Sequence, residues 1–218
     1  METQLHAERA PALNRHPVSE VEFARKVIAQ EAANLSTLSD ALDPAFAAAV
    51  DLILTTRGRV IVIGIGKSGI VGHKVAASLS SLGTPAYFLH VAEAVHGDLG
   101  MVQPDDVLIL LSNSGKTPEV LNLLGHLSQF HCPMIAITGA PDSALARAAT
   151  VHLDTHVRHE ADPRDLAPTT SAIAMMALGD ALALTLAECR GFTREMFARL
   201  HPGGALGARL ADEAKDRT

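Results

Sequence analysis

The stretch Val60-Ile61-Val62-Ile63-Gly64-Ile65-Gly66-Lys67-Ser68-Gly69 decides the fold of this chain. Its four consecutive β-branched residues, bounded by Gly58 and Gly64, predict a short strand that is buried on both faces. A glycine-rich loop follows directly, and from Ser68 onward apolar residues recur with helical spacing. A buried strand that turns through a tight loop into a helix is the first unit of a parallel α/β sheet.

Strands and helices alternate along the rest of the chain. Five apolar runs are predicted as strands, at residues 60–63, 86–89, 107–111, 134–138 and 151–153. Helices are predicted from residue 18, after Asp43-Pro44, and at 68–82, 118–130, 143–149 and 169–187. This order predicts an α/β protein, a flavodoxin-like three-layer αβα sandwich around a five-stranded parallel sheet. Such sheets bind ligands at the carboxyl ends of their strands.

Composition excludes several classes of protein. The 218 residues are 48% hydrophobic and 19% charged, which is typical of a globular domain rather than a disordered chain. With 18 basic against 24 acidic residues and no Trp, the chain is a poor candidate for binding nucleic acid. Its two cysteines, Cys132 and Cys189, are too few for a disulfide framework and favour the cytoplasm. The most apolar stretch, 172–187, is interrupted by Gly179 and Asp180, which predicts a buried helix and no membrane partner.

Two loops rich in glycine and hydroxyl groups follow the first and third strands. The loop at 64–69 has the form G-x-G-x-x-G, but Ile61 stands where a Walker A loop needs its first glycine. The loop Ser112-Asn113-Ser114-Gly115-Lys116-Thr117 precedes a helix, and helix N-termini attract anions. Together the loops favour a small phosphorylated ligand. The alternatives are simple capping by Ser114 or Thr117, and a dinucleotide whose ribose binds Glu93.

Four segments together resemble one branch of the sugar isomerase (SIS) domain family, the arabinose 5-phosphate isomerases. They are Gly64-Ile65-Gly66-Lys67-Ser68-Gly69, His96-Gly97-Asp98-Leu99-Gly100-Met101, Leu166-Ala167-Pro168-Thr169-Thr170-Ser171 and His201-Pro202-Gly203-Gly204-Ala205-Leu206-Gly207. The Ser-x-Ser-Gly-x-Thr loop marks only the wider family, whereas the second and fourth segments are specific to this branch. The resemblance covers residues 20–210. We therefore expect a flexible arm at 1–16 and a single SIS domain at 17–218, without the CBS pair that usually follows.

The resemblance implies an aldose–ketose isomerase that interconverts D-ribulose 5-phosphate and D-arabinose 5-phosphate through an enediol. This reaction supplies 3-deoxy-D-manno-octulosonate for lipopolysaccharide or capsule. The family uses no cofactor and requires no metal, although zinc at the position of His90 is typically inhibitory, and its members are typically homotetramers. The alternatives are an SIS isomerase acting on a sedoheptulose or hexulose phosphate, and a sensor that binds a phosphosugar or nucleotide sugar without catalysis.

The resemblance also implies roles for individual residues. Four positions match catalytic residues of the family: Lys67, Glu119, Glu160 and His201. Twelve positions are expected to bind substrate: Gly66, Ser68, Gly83, Thr84, His90, His96, Ser112, Asn113, Ser114, Thr117, Thr169 and Ser171. Spacing leaves open which of Glu119, Glu160 and His201 removes the proton from carbon. Lys116 and the charged segment 161–165 depart from the family pattern, which leaves their roles open.

Overall fold

The computed structural model of the protein describes residues 19–204 and Arg209, so the predicted arm at 1–16 and the residues 205–207 of the fourth segment lie outside the described residues. Its centre is a parallel sheet of five strands in the order β2-β1-β3-β4-β5. The strands are β1 (Val60–Gly64), β2 (Ala86–His90), β3 (Val107–Leu111), β4 (Met134–Thr138) and β5 (Val151–Asp154). All five predicted strands and the parallel sheet are confirmed.

Helices cover both faces of the sheet, as the alternating pattern predicts. The helices on its two faces are α1 (Glu20–Asp40), α2 (Pro44–Thr55), α3 (Gly66–Ser81), α4 (Val91–Ala94), α5 (Pro118–Leu127), α6 (Ala144–Ala148) and α7 (Thr170–Cys189). They are followed by α8 (Arg194–Leu200), which has no buried residue. Short 3₁₀ turns at Asp98–Met101 and Ser128–Phe130 complete the described elements. Helix α1 begins with a capping box, in which Ser19 accepts from the backbone of Glu22 and the Glu22 carboxylate accepts from Ser19.

Strands β1 and β3 are buried along their whole length, and their side chains belong to two separate hydrophobic cores. In β1, Val60 and Val62 pack with α1, α2, α3 and α7, whereas Ile61 and Ile63 pack with α4, α5 and α6. This alternation follows from the two-residue period of a strand. It explains why both faces of β1 are apolar and why the strand could be located from the sequence alone.

Helix α7 is long and apolar enough, by length and composition, to cross a membrane, with a mean hydropathy of 1.6. In the fold it is the helix that packs most closely on α3 and also contacts α1 and α2. Its Asp180 pairs with Lys74 of α3, which places a charged group in the middle of the apolar run. The helix is therefore packed among the other helices of its layer, as expected for the buried helix that the interrupted apolar pattern predicts.

The chain changes direction across the sheet between β1 and β3. From β1 it passes to β2 on one side and then crosses to β3 on the other, so the loops that leave the carboxyl ends of β1 and β3 diverge. In open α/β sheets this switch point opens the crevice in which ligands bind. The two glycine- and hydroxyl-rich loops of the sequence both begin there.

Candidate active site

A cavity of about 290 Å³ opens at the carboxyl ends of β1 and β3. It is lined by Lys67, Ser68, Asn113, Ser114, Thr117, Glu160, Pro168, Ser171, Ala172 and Met175. The volume lies near the lower end of the range for ligand pockets, so the cavity suits a small molecule. Seven of the lining residues belong to the predicted site: Lys67, Ser68, Asn113, Ser114, Thr117, Glu160 and Ser171.

The loop after β3 is held in shape by its own polar groups. The hydroxyls of Ser112 and Thr117 lie 2.8 Å apart, and the Ser114 hydroxyl accepts from the backbone N–H of Lys116 at 3.2 Å. Gly115 adopts a left-handed φ of 57°, and a side chain there would collide with Ser143. Only glycine meets both conditions, which explains its place in the loop.

The hydroxyl of Thr117 does not cap helix α5. Thr117 is the N-cap residue, but its side chain makes no capping hydrogen bond and contacts Ser112 instead. Simple capping by Thr117, one alternative from the sequence, is therefore wrong. Because Pro118 has no N–H to offer, the first N–H groups of the helix are those of Glu119 and Val120. The start of α5 is thus arranged to receive an external acceptor such as a phosphate oxygen.

Helix α3 presents a second N-terminus to the cavity. Its N-cap residue, Ile65, has no polar side chain, and Lys67 and Ser68 in its first turn both line the cavity. The positive end of the helix dipole and the Lys67 ammonium group therefore act in the same direction. Lys67 is the one Lys or Arg among the lining residues, so it is the direct source of positive charge there.

Glu160 caps the N-terminus of α7 from a distance in sequence. Its Oε2 accepts from the backbone N–H groups of Thr169 at 2.9 Å and Ser171 at 3.0 Å, and from the Thr169 hydroxyl at 3.3 Å. Its Oε1 accepts from the Ser171 hydroxyl. Thr169 is the N-cap residue of α7, but its side chain makes no capping hydrogen bond. The Glu160 carboxylate therefore accepts from the N–H groups at the start of the helix in its place. With three donors on Oε2 and one on Oε1, Oε1 has more free capacity to accept a proton.

Three other predicted residues support the cavity from just behind its lining. Ser112 is buried and holds Thr117 through its hydroxyl. Thr169 accepts from the backbone N–H of Ala161 at 3.0 Å while it donates to Glu160. Gly66 is the first residue of α3. None of the three is among the lining residues; Ser112 and Thr169 contact lining residues, and Gly66 directly precedes Lys67.

The other six predicted residues do not line this cavity within one chain. Glu119 is exposed in the first turn of α5, and His96 is exposed ahead of a 3₁₀ turn. His90 ends β2 and accepts the N–H of Ala92 with its Nδ1 at 3.2 Å, which leaves Nε2 to bind another group. Gly83 and Thr84 precede β2, so they lie at the amino end of the strand, the opposite edge of the sheet from the cavity.

His201 lies directly after α8. Its ring stacks on Phe197 with 3.9 Å between ring centroids, and its Nδ1 lies 2.8 Å from the carbonyl oxygen of Phe197. The ring is half-buried, so the turn that follows does not leave it fully open to solvent. A backbone carbonyl at Nδ1 fixes the tautomer that carries its proton there, which leaves Nε2 as the acceptor.

Sequence reasoning missed three residues of the lining: Pro168, Ala172 and Met175. The helical spacing of Met175 predicts a core residue, and it is 1% exposed, yet it also forms part of the cavity wall. Helical periodicity identifies the buried face of α7 but cannot tell which of its residues face a cavity. Among the described residues, no group of three or more His, Cys, Asp and Glu side chains is placed to hold a metal ion.

The chain is similar to known proteins along most of its length. The family model described as SIS domain matches residues 53–185. Arabinose 5-phosphate isomerase KdsD of Pseudomonas aeruginosa is 48% identical over 196 residues, which cover 90% of this chain and 60% of the relative. Arabinose 5-phosphate isomerase KpsF of Escherichia coli is 48% identical over 193 residues, covering 88% of this chain and 61% of the relative. The chain thus spans about 60% of the length of these curated relatives.

A solved structure shows the same architecture with a ligand. The structure of a protein from E. coli CFT073 in complex with arabinose 5-phosphate superimposes with a TM-score of 0.82 at 40% sequence identity. The match covers 84% of this chain and 97% of the other. The fold described above therefore accounts for nearly all of that chain.

Proposed function

The chain belongs to the SIS domain family, and from this premise we propose that it is an arabinose 5-phosphate isomerase, interconverting D-arabinose 5-phosphate and D-ribulose 5-phosphate. The observation that carries the proposal is one cavity that joins the hydroxyl-rich loop, Lys67 and Glu160. A phosphate site, a cation and a carboxylate base are what this isomerisation needs. The identity of 48% to arabinose 5-phosphate isomerases supports the same substrate.

The phosphate of the substrate binds at the start of α5. The hydroxyls of Ser114 and Thr117, the Asn113 side chain and the free N–H groups of the first turn surround this position. Lys67 at the start of α3 supplies the positive charge. A phosphate held there fixes one end of a five-carbon sugar and leaves the other end to reach across the cavity toward α7.

Glu160 is the base in this proposal, because Glu119 and His201 do not line the cavity within one chain. Its Oε1 takes the proton from C2 of the open-chain aldose, the C–H electron pair forms the C1–C2 double bond, and the carbonyl oxygen on C1 takes up a proton from water. The product is an enediol. Glu160 then returns its proton to C1 while the C2 hydroxyl gives its own proton to water, which forms the carbonyl of the ketose. Lys67 stabilises the negative charge that develops on oxygen.

Finer features of the proposal follow from the resemblance to the family. We propose a cytoplasmic homotetramer that supplies 3-deoxy-D-manno-octulosonate for lipopolysaccharide or capsule, and that works without cofactor or metal. His201 would then act at the site of a neighbouring subunit through its Nε2, since its Nδ1 is held by the Phe197 carbonyl. His90, whose Nδ1 is held by the N–H of Ala92, is the residue at which zinc would inhibit.

The proposal is tested by a proton NMR time course with D-arabinose 5-phosphate in D₂O and EDTA. Formation of ribulose 5-phosphate, with deuterium incorporated at C2 of the remaining aldose, is the expected result. Glu160→Gln should abolish both signals, and Glu188→Gln, an exposed residue at the far end of α7, should change neither. Saturable binding without turnover would overturn the proposal and favour the sensor. Turnover of only a hexulose or sedoheptulose phosphate would assign another isomerase.

A further inference from the structure

The loop between β5 and α7 carries Glu160, and every polar atom of this residue has a hydrogen-bond partner. The side chain accepts four hydrogen bonds from Thr169 and Ser171. The main chain makes two more: its N–H donates to Asp165, and its carbonyl oxygen accepts from Gln30. A glutamate on a loop is therefore fixed at both its main chain and its carboxylate.

Asp165 holds the N–H side of Glu160. Its Oδ1 accepts from the Glu160 N–H at 2.6 Å, and its Oδ2 lies 3.2 Å from Nδ1 of His159. The hydrogen bond from Glu160 is the main reason that the pKa of Asp165 is lowered, so the residue is a carboxylate at neutral pH. Its backbone has a left-handed φ of 56°, and its own N–H donates to the carbonyl of Asp162 at 2.8 Å.

Gln30 holds the carbonyl side of Glu160 from helix α1. Its Nε2 donates to the Glu160 carbonyl at 2.8 Å, and one turn later Nδ2 of Asn34 donates to the carbonyl of His156 at 3.3 Å. Only Leu38 of α1 is buried. The two amide side chains are thus a specific link between this helix and the loop, in addition to apolar packing.

We propose that Asp165 and Gln30 are positioning residues for the isomerase reaction, acting through the main chain of Glu160. The inference rests on the proposed function, in which Glu160 is the base. A glutamate side chain has three rotatable bonds, so its carboxylate can face the cavity and cap α7 together only if the main chain is fixed. Asp165 and Gln30 fix it from opposite sides, and neither lines the cavity that holds the substrate.

A pair of substitutions at Asp165 separates the hydrogen bond from the backbone conformation. Asn and Gly both tolerate a left-handed φ. Asp165→Asn keeps an oxygen that can accept from Glu160, whereas Asp165→Gly removes it. We expect Asp165→Gly to lower kcat on the order of tenfold with KM unchanged within about twofold, because the phosphate loop is untouched. Asp165→Asn should retain wild-type kcat within about twofold.

Gln30→Met tests the second contact without changing the backbone. Methionine has a similar length but cannot donate to the Glu160 carbonyl. We expect the same pattern, a lower kcat with KM unchanged. The matched control is Gln129→Met, an exposed glutamine on the other layer of the fold that should behave as wild type.

Hydrogen exchange gives a readout that does not depend on turnover. In Asp165→Gly the amides of Glu160, Thr169 and Ser171 should exchange faster than in wild type and in Asp165→Asn, whereas amides of β1 should not change. If the wild-type protein does not isomerise arabinose 5-phosphate, the proposed function fails and exchange alone decides the positioning role. Three results would overturn the positioning role. They are unchanged exchange and kcat in Asp165→Gly, a loss of kcat in Asp165→Asn equal to that in Asp165→Gly, and a raised KM with normal kcat.

Discussion

Removing the Glu160 side chain should cost stability as well as activity, because this carboxylate is also a helix cap. In Glu160→Ala the backbone N–H groups of Thr169 and Ser171 lose their acceptor. Loss of an N-terminal cap typically costs about 1 kcal/mol, with a range of about 0.5–2. Loss of a negative charge at the positive end of a helix adds about 0.5 kcal/mol.

The two hydroxyls that now donate to Glu160 also lose their partner. Those of Thr169 and Ser171 can turn to water, so we assign them together about 0.5 kcal/mol. The total is about 2 kcal/mol of unfolding free energy. For a chain of this size about 1 kcal/mol shifts the melting temperature by about 2–4 °C, so Glu160→Ala should melt about 4–8 °C below wild type.

The assay is thermal unfolding followed by circular dichroism, with turnover measured on the same samples. Glu160→Gln keeps one acceptor oxygen and should lose about half of the stability that Glu160→Ala loses, yet kcat should fall by about 10²–10⁴ in both. Glu188→Ala, an exposed glutamate in the last turn of α7, is the control and should melt at or slightly above wild type. Melting of Glu160→Ala within about 1 °C of wild type would refute the capping argument.

Four further perturbations test other parts of the site and the fold. Ser114→Ala removes a hydroxyl that lines the cavity at the proposed phosphate position, so it should raise KM for the sugar phosphate about tenfold with little change in kcat, measured by steady-state kinetics. Gly139→Ala would bring a Cβ to 2.7 Å from Oδ1 of Asn113, so it should also raise KM. In Gly125→Ala the new Cβ meets open space on α5, so the substitution should raise the free energy of unfolding by about 0.5–1 kcal/mol, measured by denaturant unfolding. Burial lowers the pKa of His152, so this side chain takes up a proton at a higher pH in the unfolded chain than in the folded chain. The free energy of unfolding should therefore fall as the pH drops below about 6.5. The fall should be smaller in His152→Gln, which cannot take up this proton.

The sheet could be predicted because its strands lie between helices on both faces. A strand buried on both sides is a continuous apolar run, and each predicted run begins at the residue where the strand begins and ends within one residue of it. The start of α1 differs slightly: helical periodicity extends to Val18, but the Ser19 capping box fixes the first helical residue at Glu20. Local hydrogen bonds at the ends of a helix determine where it begins and ends, and the spacing of apolar residues alone does not predict those positions.

The candidate site was predictable where it depends on loops that follow strands. The carboxyl ends of parallel strands lie at the same edge of the sheet, so the residues that follow β1 and β3 meet there. Lys67, Asn113 and Ser114 are at this edge. The environment of Glu160 was not predictable, because its partners come from other elements. Ser171 is 11 residues away and Gln30 is 130 residues away in sequence. No local pattern records such contacts, and Gln30 looks like an ordinary exposed residue of α1.

Three helix N-termini meet at the cavity, and their arrangement explains how two negative groups fit into one small site. A phosphate and a carboxylate repel each other, and at short range in a partly desolvated site this repulsion is large. Glu160 occupies the start of α7 as the protein's own anion, while the starts of α3 and α5 have no side-chain cap and are where we propose that the phosphate of the substrate binds. Each negative charge therefore has its own positive helix end. With Lys67 as the one Lys or Arg of the lining, helix dipoles supply the rest of the positive field. They do so without adding an ammonium or guanidinium group beside Glu160, the base that we propose.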